Sequence, residues 1–123
     1  PDDQFDLANL YAATKDFSAA VTAAREYVKL DPQDPRGLRL LADVLSYRGD
    51  AAKGDYAESL KLLRGLAKEL PQDKELPVRV AEVTLWSGDP AAALQPLAAA
   101  LEANPDQPAL WPAFVDAAAA VGD

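Results

Sequence analysis

The chain has 123 residues, of which 20 are Asp or Glu and 12 are Lys or Arg, so its formal net charge is −8. This charge argues against nucleic acids and anionic membranes as general partners, and no apolar run is long enough for membrane insertion. Cysteine and histidine are both absent, which excludes disulfides, thiolate nucleophiles, the usual transition-metal sites and the commonest general base. The composition therefore predicts neither a cofactor nor a bound metal.

The first helical hairpin is predicted around the stretch 15–32. Asp16 can accept a backbone N–H as a helix N-cap, and the apolar residues after it recur at three- and four-residue steps. Asp31-Pro32 then ends the helix, because proline has no N–H to donate and disfavours helix in the residue before it. We predict helices over about residues 3–14 and 17–30.

A second hairpin is predicted from about residues 35–47 and 56–69. The segment between these helices contains the Gly-Asp turn signal twice and carries five extra residues near 50–54, which predicts a protruding loop or a lengthened first helix. The tripeptide Arg48-Gly49-Asp50 matches a known adhesion motif, although Gly-Asp is also the expected turn chemistry at this place.

A third hairpin is predicted over about residues 74–87 and 90–103, with Asp89 as N-cap and Pro90 at the first helical position. Pro96 falls inside the second of these helices and predicts a kink. A last helix is expected over about 108–121. Its apolar residues would pack under a following helix, so we expect either a piece of a longer array or coverage by a second copy of the chain. Those residues are Trp111, Phe114, Val115 and Ala118.

Two independent tracks of residues indicate an internal repeat. The helix-ending prolines Pro32, Pro71 and Pro105 are 39 and 34 residues apart. An apolar residue followed by a small one recurs upstream with spacings of 34, 39 and 34, at Leu7-Ala8, Leu41-Ala42, Val80-Ala81 and Phe114-Val115. Both tracks give a 34-residue period with the same insertion in the second unit, which predicts a helical repeat array.

The repeat resembles the tetratricopeptide repeat over the whole chain. The first unit supplies matching residues at Leu7, Ala8, Tyr11, Phe17, Ala20, Leu30 and Pro32, and the third at Val80, Ala81, Gly88, Ala93, Leu97, Ala100 and Pro105. Departures from the family pattern are Lys15 for the turn glycine, Tyr27 and Leu66 for an alanine, and Pro90 for an aromatic residue.

This resemblance implies an all-α fold of seven helices, a right-handed superhelical solenoid of antiparallel pairs. The implied division of the single array 1–123 is units 1–34, 35–73 with the insertion, 74–107 and a half unit 108–123. The first helix of each pair would line a concave groove, where the family usually binds peptides. The groove-facing positions fall on Phe5, Asn9, Arg36, Arg39, Asp43, Tyr47, Arg79, Glu82, Trp86 and Asp116.

The family's carboxylate clamp for chaperone tails is not expected here. The five clamp positions hold Phe5, Asn9, Leu40, Glu75 and Arg79, and only the asparagine and the last arginine match. The groove arginines could each bind a ligand carboxylate through two parallel hydrogen bonds. Alternatively, each could pair with an acidic residue three or four positions along its own helix.

Asn9, Asp43, Glu82 and Asp116 share one repeat position, so carboxylates would form a row along the groove. The expected separation of these carboxylates superficially suits an inverting glycosidase. Nothing else in the sequence supports catalysis. We therefore predict a non-enzymatic scaffold for protein partners. An alternative follows from the stretch 79–94, which looks like repeats in the periplasmic part of bacterial exopolysaccharide secretion proteins. The alanine- and proline-rich composition is typical of GC-rich bacterial genomes, and the lack of cysteine fits cytoplasm and periplasm equally.

Overall fold

A computed structural model of the chain describes residues 2–50, 53–89, 91–108 and 110–122. These residues form seven helices and no strand, which confirms the predicted all-α fold. The helices are α1 (Asp2–Ala13), α2 (Phe17–Leu30), α3 (Pro35–Arg48), α4 (Asp55–Glu69), α5 (Glu75–Trp86), α6 (Leu94–Ala103) and α7 (Leu110–Gly122). The chain divides into two compact units, residues 1–66 and 67–123.

In the first unit, α2 packs against both α1 and α3, and α1 also contacts α3. The core consists largely of small side chains, which allow helices to approach closely, and it is completed by larger residues of α3. Its members include Ala8, Ala20, Val21, Ala23, Ala24, Leu41, Val44 and Leu45. Helix α4 joins this core through Leu62 and through a hydrogen bond of 2.7 Å from the Ser59 hydroxyl to the Ala42 carbonyl.

Side-chain caps fix where α2 and α3 begin. The Asp16 carboxylate accepts a hydrogen bond of 3.3 Å from the Ala19 N–H, as the sequence predicts. Asp34 accepts one of 2.9 Å from the Arg36 N–H, and Pro35 is the first residue of α3, where its missing N–H costs nothing. Lys15, which stands where the repeat favours glycine, has φ 65° and so adopts the left-handed turn conformation despite its side chain.

Helix α3 ends at Arg48 and does not continue into the predicted insertion, because Gly49 caps it in the left-handed conformation. Gly49 has φ 60°, and a Cβ at that position would lie 2.5 Å from the Tyr56 hydroxyl. Conformation and space therefore both favour glycine there. Ala51 and Ala52 of the predicted insertion lie outside the described residues.

In the second unit, α6 packs against α5 and α7 around Ala81, Ala93, Leu97 and Ala117. The side chain of Asn104 closes the α5–α6 hairpin by donating a hydrogen bond of 2.8 Å to the Lys74 carbonyl.

Helix α6 begins at Leu94, four residues later than predicted, because residues 91–93 form a turn whose Ala92 N–H donates to the Asp89 carboxylate. Pro96 consequently lies in the first turn of α6, where its N–H would have had no partner within the helix. The predicted kink at Pro96 is therefore wrong. Pro90, predicted to open this helix, lies outside the described residues.

Candidate functional site

The predicted groove residues of the first unit fall on α1 and α3, the two helices that contact each other beside α2. Phe5 and Arg36 come together, with the guanidinium carbon of Arg36 lying 5.8 Å from the centroid of the Phe5 ring. The other side of this cluster is Tyr27 of α2, whose ring centroid lies 5.3 Å from that of Phe5. The cluster thus combines a cation with aromatic faces.

Asp34 anchors the cluster from the α2–α3 link. Its carboxylate accepts hydrogen bonds from the Arg36 guanidinium at 3.0 and 3.3 Å and a short one from the Tyr27 hydroxyl. These bonds, together with the one from the Arg36 N–H, lower the pKa of Asp34 to about 2, with the guanidinium as the largest cause. The Asp34 carboxylate therefore stays ionised, and the Arg36 guanidinium is held by this carboxylate and by the Phe5 ring.

The lowered pKa of Asp34 predicts a pH-dependent stability. A carboxyl whose pKa is lower in the folded chain stabilises the fold above its unfolded pKa of about 3.9. That contribution is lost as the pH falls through the folded pKa. We expect wild type to melt higher than Asp34→Asn at pH 6, with the difference shrinking below pH 4 and becoming small at pH 2, as followed by calorimetry.

Asparagine is a suitable replacement because it remains a good helix N-cap and removes only the charge. Tyr27→Phe is the companion variant: it takes one hydrogen bond from the carboxylate, so the pKa of Asp34 measured by NMR should rise. A wild-type advantage over Asp34→Asn that is equally large at pH 6 and pH 2 would contradict this account.

The remaining predicted residues of the first unit are spread along the two helices. Arg39 and Asp43 form an ion pair one turn apart on α3, with the Arg39 Nε lying 3.7 Å from the Asp43 Oδ2. Tyr47 is about half exposed, and its ring lies 5.8 Å from that of Phe17. Asn9 is exposed and donates a hydrogen bond of 3.0 Å to the Phe5 carbonyl of its own helix.

In the second unit, three of the four predicted residues form one cluster on α5. The guanidinium of Arg79 lies 3.1 Å from a Glu82 carboxylate oxygen and 5.3 Å from the centroid of a Trp86 ring. Trp86 is 46% exposed although its ring is held by this cation. The fourth residue, Asp116, is exposed on α7. The two same-helix ion pairs considered for the groove arginines, Arg39 with Asp43 and Arg79 with Glu82, are thus present in the structure.

Two bidentate ion pairs were not expected from the sequence. Arg25 of α2 donates to both oxygens of Glu58 of α4, at 2.7 and 2.9 Å, across 33 residues of sequence. Arg48 donates to both oxygens of Asp55, each at 2.7 Å, across the turn after α3. The only sequence signal for the second pair is an Arg and an Asp on either side of two turn glycines.

The Arg48 pair bears on the adhesion motif. The Arg48 side chain is 17% exposed, and its guanidinium is bound to a carboxylate that also accepts the Asp50 N–H at 2.8 Å. An adhesion ligand must present its arginine to a receptor, which here requires breaking that pair. The structure therefore favours turn chemistry as the role of Arg48-Gly49-Asp50.

Two carboxylates of the row predicted along the groove are bound in ion pairs. Asp43 and Glu82 are each bound by an arginine of their own helix. Within residues 2–50, 53–89, 91–108 and 110–122, no three acidic side chains are grouped so that they could hold a metal ion. None of the helices formed by these residues is long and apolar enough to cross a membrane.

The comparisons with known proteins agree with the all-α fold. Among solved structures, the chain is similar to the type III secretion translocator chaperone SycD of Yersinia enterocolitica, with a TM-score of 0.69 and 18% identity. The alignment covers 98% of this chain and 80% of that chain, and at this identity it shows the fold alone. A comparison with curated proteins finds no match. The tetratricopeptide repeat matches residues 1–44 and, separately, residues 50–115. Since the second match alone spans more than half of the chain, the chain belongs to the tetratricopeptide repeat family.

Proposed function

We propose that this chain is a protein-interaction scaffold that binds an extended peptide, or a segment of a neighbouring domain, along the first helices of its repeats. Family membership supports the scaffold role, since repeats of this kind build extended binding surfaces from stacked helix pairs. The structurally similar SycD is a type III secretion translocator chaperone. Binding along α1, α3, α5 and α7 is the more specific part of the proposal.

The observation that carries the proposal is the Arg79–Trp86 cluster on α5. A large aromatic side chain that remains about half exposed is a typical interface anchor. The cation at 5.3 Å holds one ring face, and the Glu82 carboxylate in turn holds the cation. An anchor that is already oriented loses less conformational entropy when it binds a partner.

The first unit offers the same combination of chemical groups. Phe5 and Tyr47 supply aromatic surface, and Arg36 supplies a guanidinium that is exposed although bound to Asp34. A carboxylate of the partner must compete with the acidic residues that already bind these arginines. We therefore expect the apolar and aromatic side chains of the partner to contribute most of the affinity.

The test is a peptide selection followed by a comparison of two tryptophans. Twelve-residue peptides are selected from a random phage library on the wild-type chain, and the affinity of the best one is measured by fluorescence anisotropy. Trp86→Ala should weaken binding about thirtyfold, which corresponds to the ~2 kcal/mol of an interface hot spot. The melting temperature should change little, because substitutions on exposed surface usually alter stability by no more than about 0.5 kcal/mol.

Trp111→Ala is the matched control, since Trp111 of α7 is 53% exposed but is not among the predicted groove residues. It should leave the affinity within about twofold of wild type. A large fall in melting temperature for Trp86→Ala would make Trp86 a packing residue. Unchanged affinity in a folded Trp86→Ala protein would move the binding surface elsewhere.

A further inference from the structure

The second unit has an open pocket between α6 and α7. This α6–α7 pocket has a volume of about 320 Å³. Phe114 packs against the core residues Leu101 and Leu110, whereas Trp111 is 53% exposed. The two aromatic rings meet nearly at right angles, at 81°, with their centroids 6.3 Å apart. The pocket is lined by Ala98, Leu101, Glu102, Trp111 and Phe114.

The α6–α7 pocket lies apart from the groove discussed under the proposed function. The groove position on α7 is Asp116, five residues after Trp111 in the sequence. Since an α-helix has 3.6 residues per turn, Asp116 lies about 140° around the helix from Trp111. A segment bound in the pocket would therefore contact a different side of α7 from a ligand in the groove.

The charge of the pocket is not balanced by the chain itself. Among the described residues that line it, Glu102 alone is charged. Glu102 is exposed and, within the part of the chain that the structure describes, forms no hydrogen bond or ion pair, Lys74 included. Arg79, the last basic residue in the sequence, is bound to Glu82. Residues 80–123 contain no lysine or arginine but six acidic residues, Glu82, Asp89, Glu102, Asp106, Asp116 and Asp123. A partner's basic side chain would supply the missing counter-charge.

The lining of the pocket suits a lysine or arginine side chain along its whole length. The aliphatic part of such a side chain can pack on Leu101 and on the aromatic rings. Its charged end is attracted by the face of an aromatic ring, and tryptophan is the strongest of the aromatic residues in this respect. The Glu102 carboxylate adds a charge-assisted hydrogen bond.

The internal repeat indicates what kind of segment covers such a place. The two repeat spacings of 39 and 34 add up to 73 residues, and four residues of the pocket stand 73 positions after four residues that line a cleft of the first unit. These pairs are Arg25 with Ala98, Val28 with Leu101, Lys29 with Glu102, and Leu41 with Phe114. In the first unit the cleft is bounded by helix α4, which packs through Leu62 and binds Arg25 through Glu58. An α-helix is therefore the segment whose shape suits the α6–α7 pocket.

The charges at these two corresponding places are opposite. In the first unit, Arg25 and Lys29 line the cleft, and α4 supplies Glu58 to one of them. In the second unit, the corresponding residues are Ala98 and Glu102, so both cations are replaced and one position is acidic. A helix with the charges of α4 would bring a carboxylate toward Glu102, whereas a helix with a basic residue would neutralise Glu102.

We propose that the α6–α7 pocket binds an amphipathic helix of a partner protein, which places one lysine or arginine side chain between the Trp111 ring and the Glu102 carboxylate. Apolar residues of the same helix face pack on Phe114 and on Ala118, which is exposed one turn further along α7. A second copy of the chain is a less suitable occupant, because two chains of net charge −8 repel each other.

The probe is a fluorescein-labelled eighteen-residue peptide designed as an amphipathic helix, with leucines at three- and four-residue steps and one lysine within that stripe. One companion peptide carries norleucine in place of the lysine, which keeps the four-carbon chain without the charge, and another carries glutamate. Binding is measured by anisotropy, and contacts are mapped on ¹⁵N-labelled wild-type chain by NMR. We expect the lysine peptide to bind about fivefold more tightly than the norleucine peptide, to lose this advantage as salt is raised, and to shift amide signals of α6 and α7.

Three variants test the two groups that hold the lysine. Glu102→Gln should weaken the lysine peptide about fivefold, or ~1 kcal/mol, and leave the norleucine peptide unchanged. Glu69→Gln makes the same change at an exposed glutamate outside the pocket lining and should alter the affinity less than about twofold. Trp111→Leu keeps an apolar side chain but removes the ring, so it should weaken the lysine peptide more than the norleucine peptide. The melting temperature should change little, because all three residues are exposed.

Several outcomes would overturn the proposal. They include no binding of the lysine peptide at 1 mM, equal binding of the norleucine peptide, equal effects of Glu102→Gln and Glu69→Gln, and amide shifts confined to helices other than α6 and α7. If sedimentation shows the chain associating with itself, and Trp111→Leu prevents that association, the pocket holds a second copy and the partner helix is wrong. Trp86→Ala should leave the affinity for the lysine peptide unchanged, so that failure at this pocket and failure at the groove can be told apart.

Discussion

Replacing Asp55 by alanine is expected to lower the free energy of unfolding of the first unit by about 3–5 kcal/mol. The Asp55 side chain is 1% exposed, and it binds the Arg48 guanidinium twice and the Asp50 N–H once. The Arg48 bonds are the main cause that lowers the pKa of Asp55, so the carboxylate is ionised in the fold. Removing the carboxylate leaves the largely enclosed Arg48 guanidinium without its counter-charge. Removing one partner of a buried ion pair costs more stability than replacing both partners by apolar residues.

The measurement is urea unfolding followed by circular dichroism, with hydrogen exchange to locate the loss. Protection should fall first in α3 and α4, whose ends the pair connects. The double variant Arg48→Met, Asp55→Leu should recover most of the stability, because it removes both charges together. A loss below about 1 kcal/mol for Asp55→Ala would show that water replaces the carboxylate easily, and would contradict the structural role assigned to this turn.

The second large effect is expected at Gly37, where alanine should destabilise the first unit by about 1–3 kcal/mol. Gly37 is buried near the start of α3, and a Cβ there would lie 2.5 and 2.6 Å from two carbon atoms of the Tyr27 ring. The ring cannot easily move aside, since it packs on Phe5 and its hydroxyl is bound to Asp34. The strain therefore spreads into the α1–α2–α3 contact.

Gly65→Ala is the matched control, because it makes the same change within a helix at a position with open space around the added Cβ. There alanine should stabilise the chain by about 0.5–1 kcal/mol through helix propensity and a less flexible unfolded chain. The two substitutions should thus shift the urea midpoint in opposite directions. A stabilised Gly37→Ala protein would mean that the Tyr27 ring can adopt another position without strain.

Most of the helices could be predicted because their signals are local in sequence. The apolar spacing of α2, the cap at Asp16 and the stop at Asp31-Pro32 act within one or two turns, and the structure begins and ends α2 at the predicted residues. The start of α6 was misplaced for a related reason. The Asp89 carboxylate does accept a hydrogen bond from the Ala92 N–H, as a helix N-cap would. That bond closes a turn, however, and α6 begins only at Leu94.

The contacts that define the sites could be predicted only where both partners share a helix. The pairs of Arg39 with Asp43 and of Arg79 with Glu82 follow from their spacing of four and three. Arg25 and Glu58 lie 33 residues apart on two different helices. Which of the twelve basic residues pairs with which of the twenty acidic ones depends there on how the helices pack. The likeness of the stretch 79–94 to exopolysaccharide secretion repeats stays a prediction.

Both tryptophans of the chain, Trp86 and Trp111, belong to the second compact unit, and residues 1–66 contain none. Indole emission therefore originates from residues 67–123, whereas the helical signal at 222 nm comes from both units. Recording the two spectra during one denaturation gives two separate transition curves from an unlabelled sample. Midpoints that differ between the two curves would show that residues 1–66 and 67–123 unfold in separate transitions.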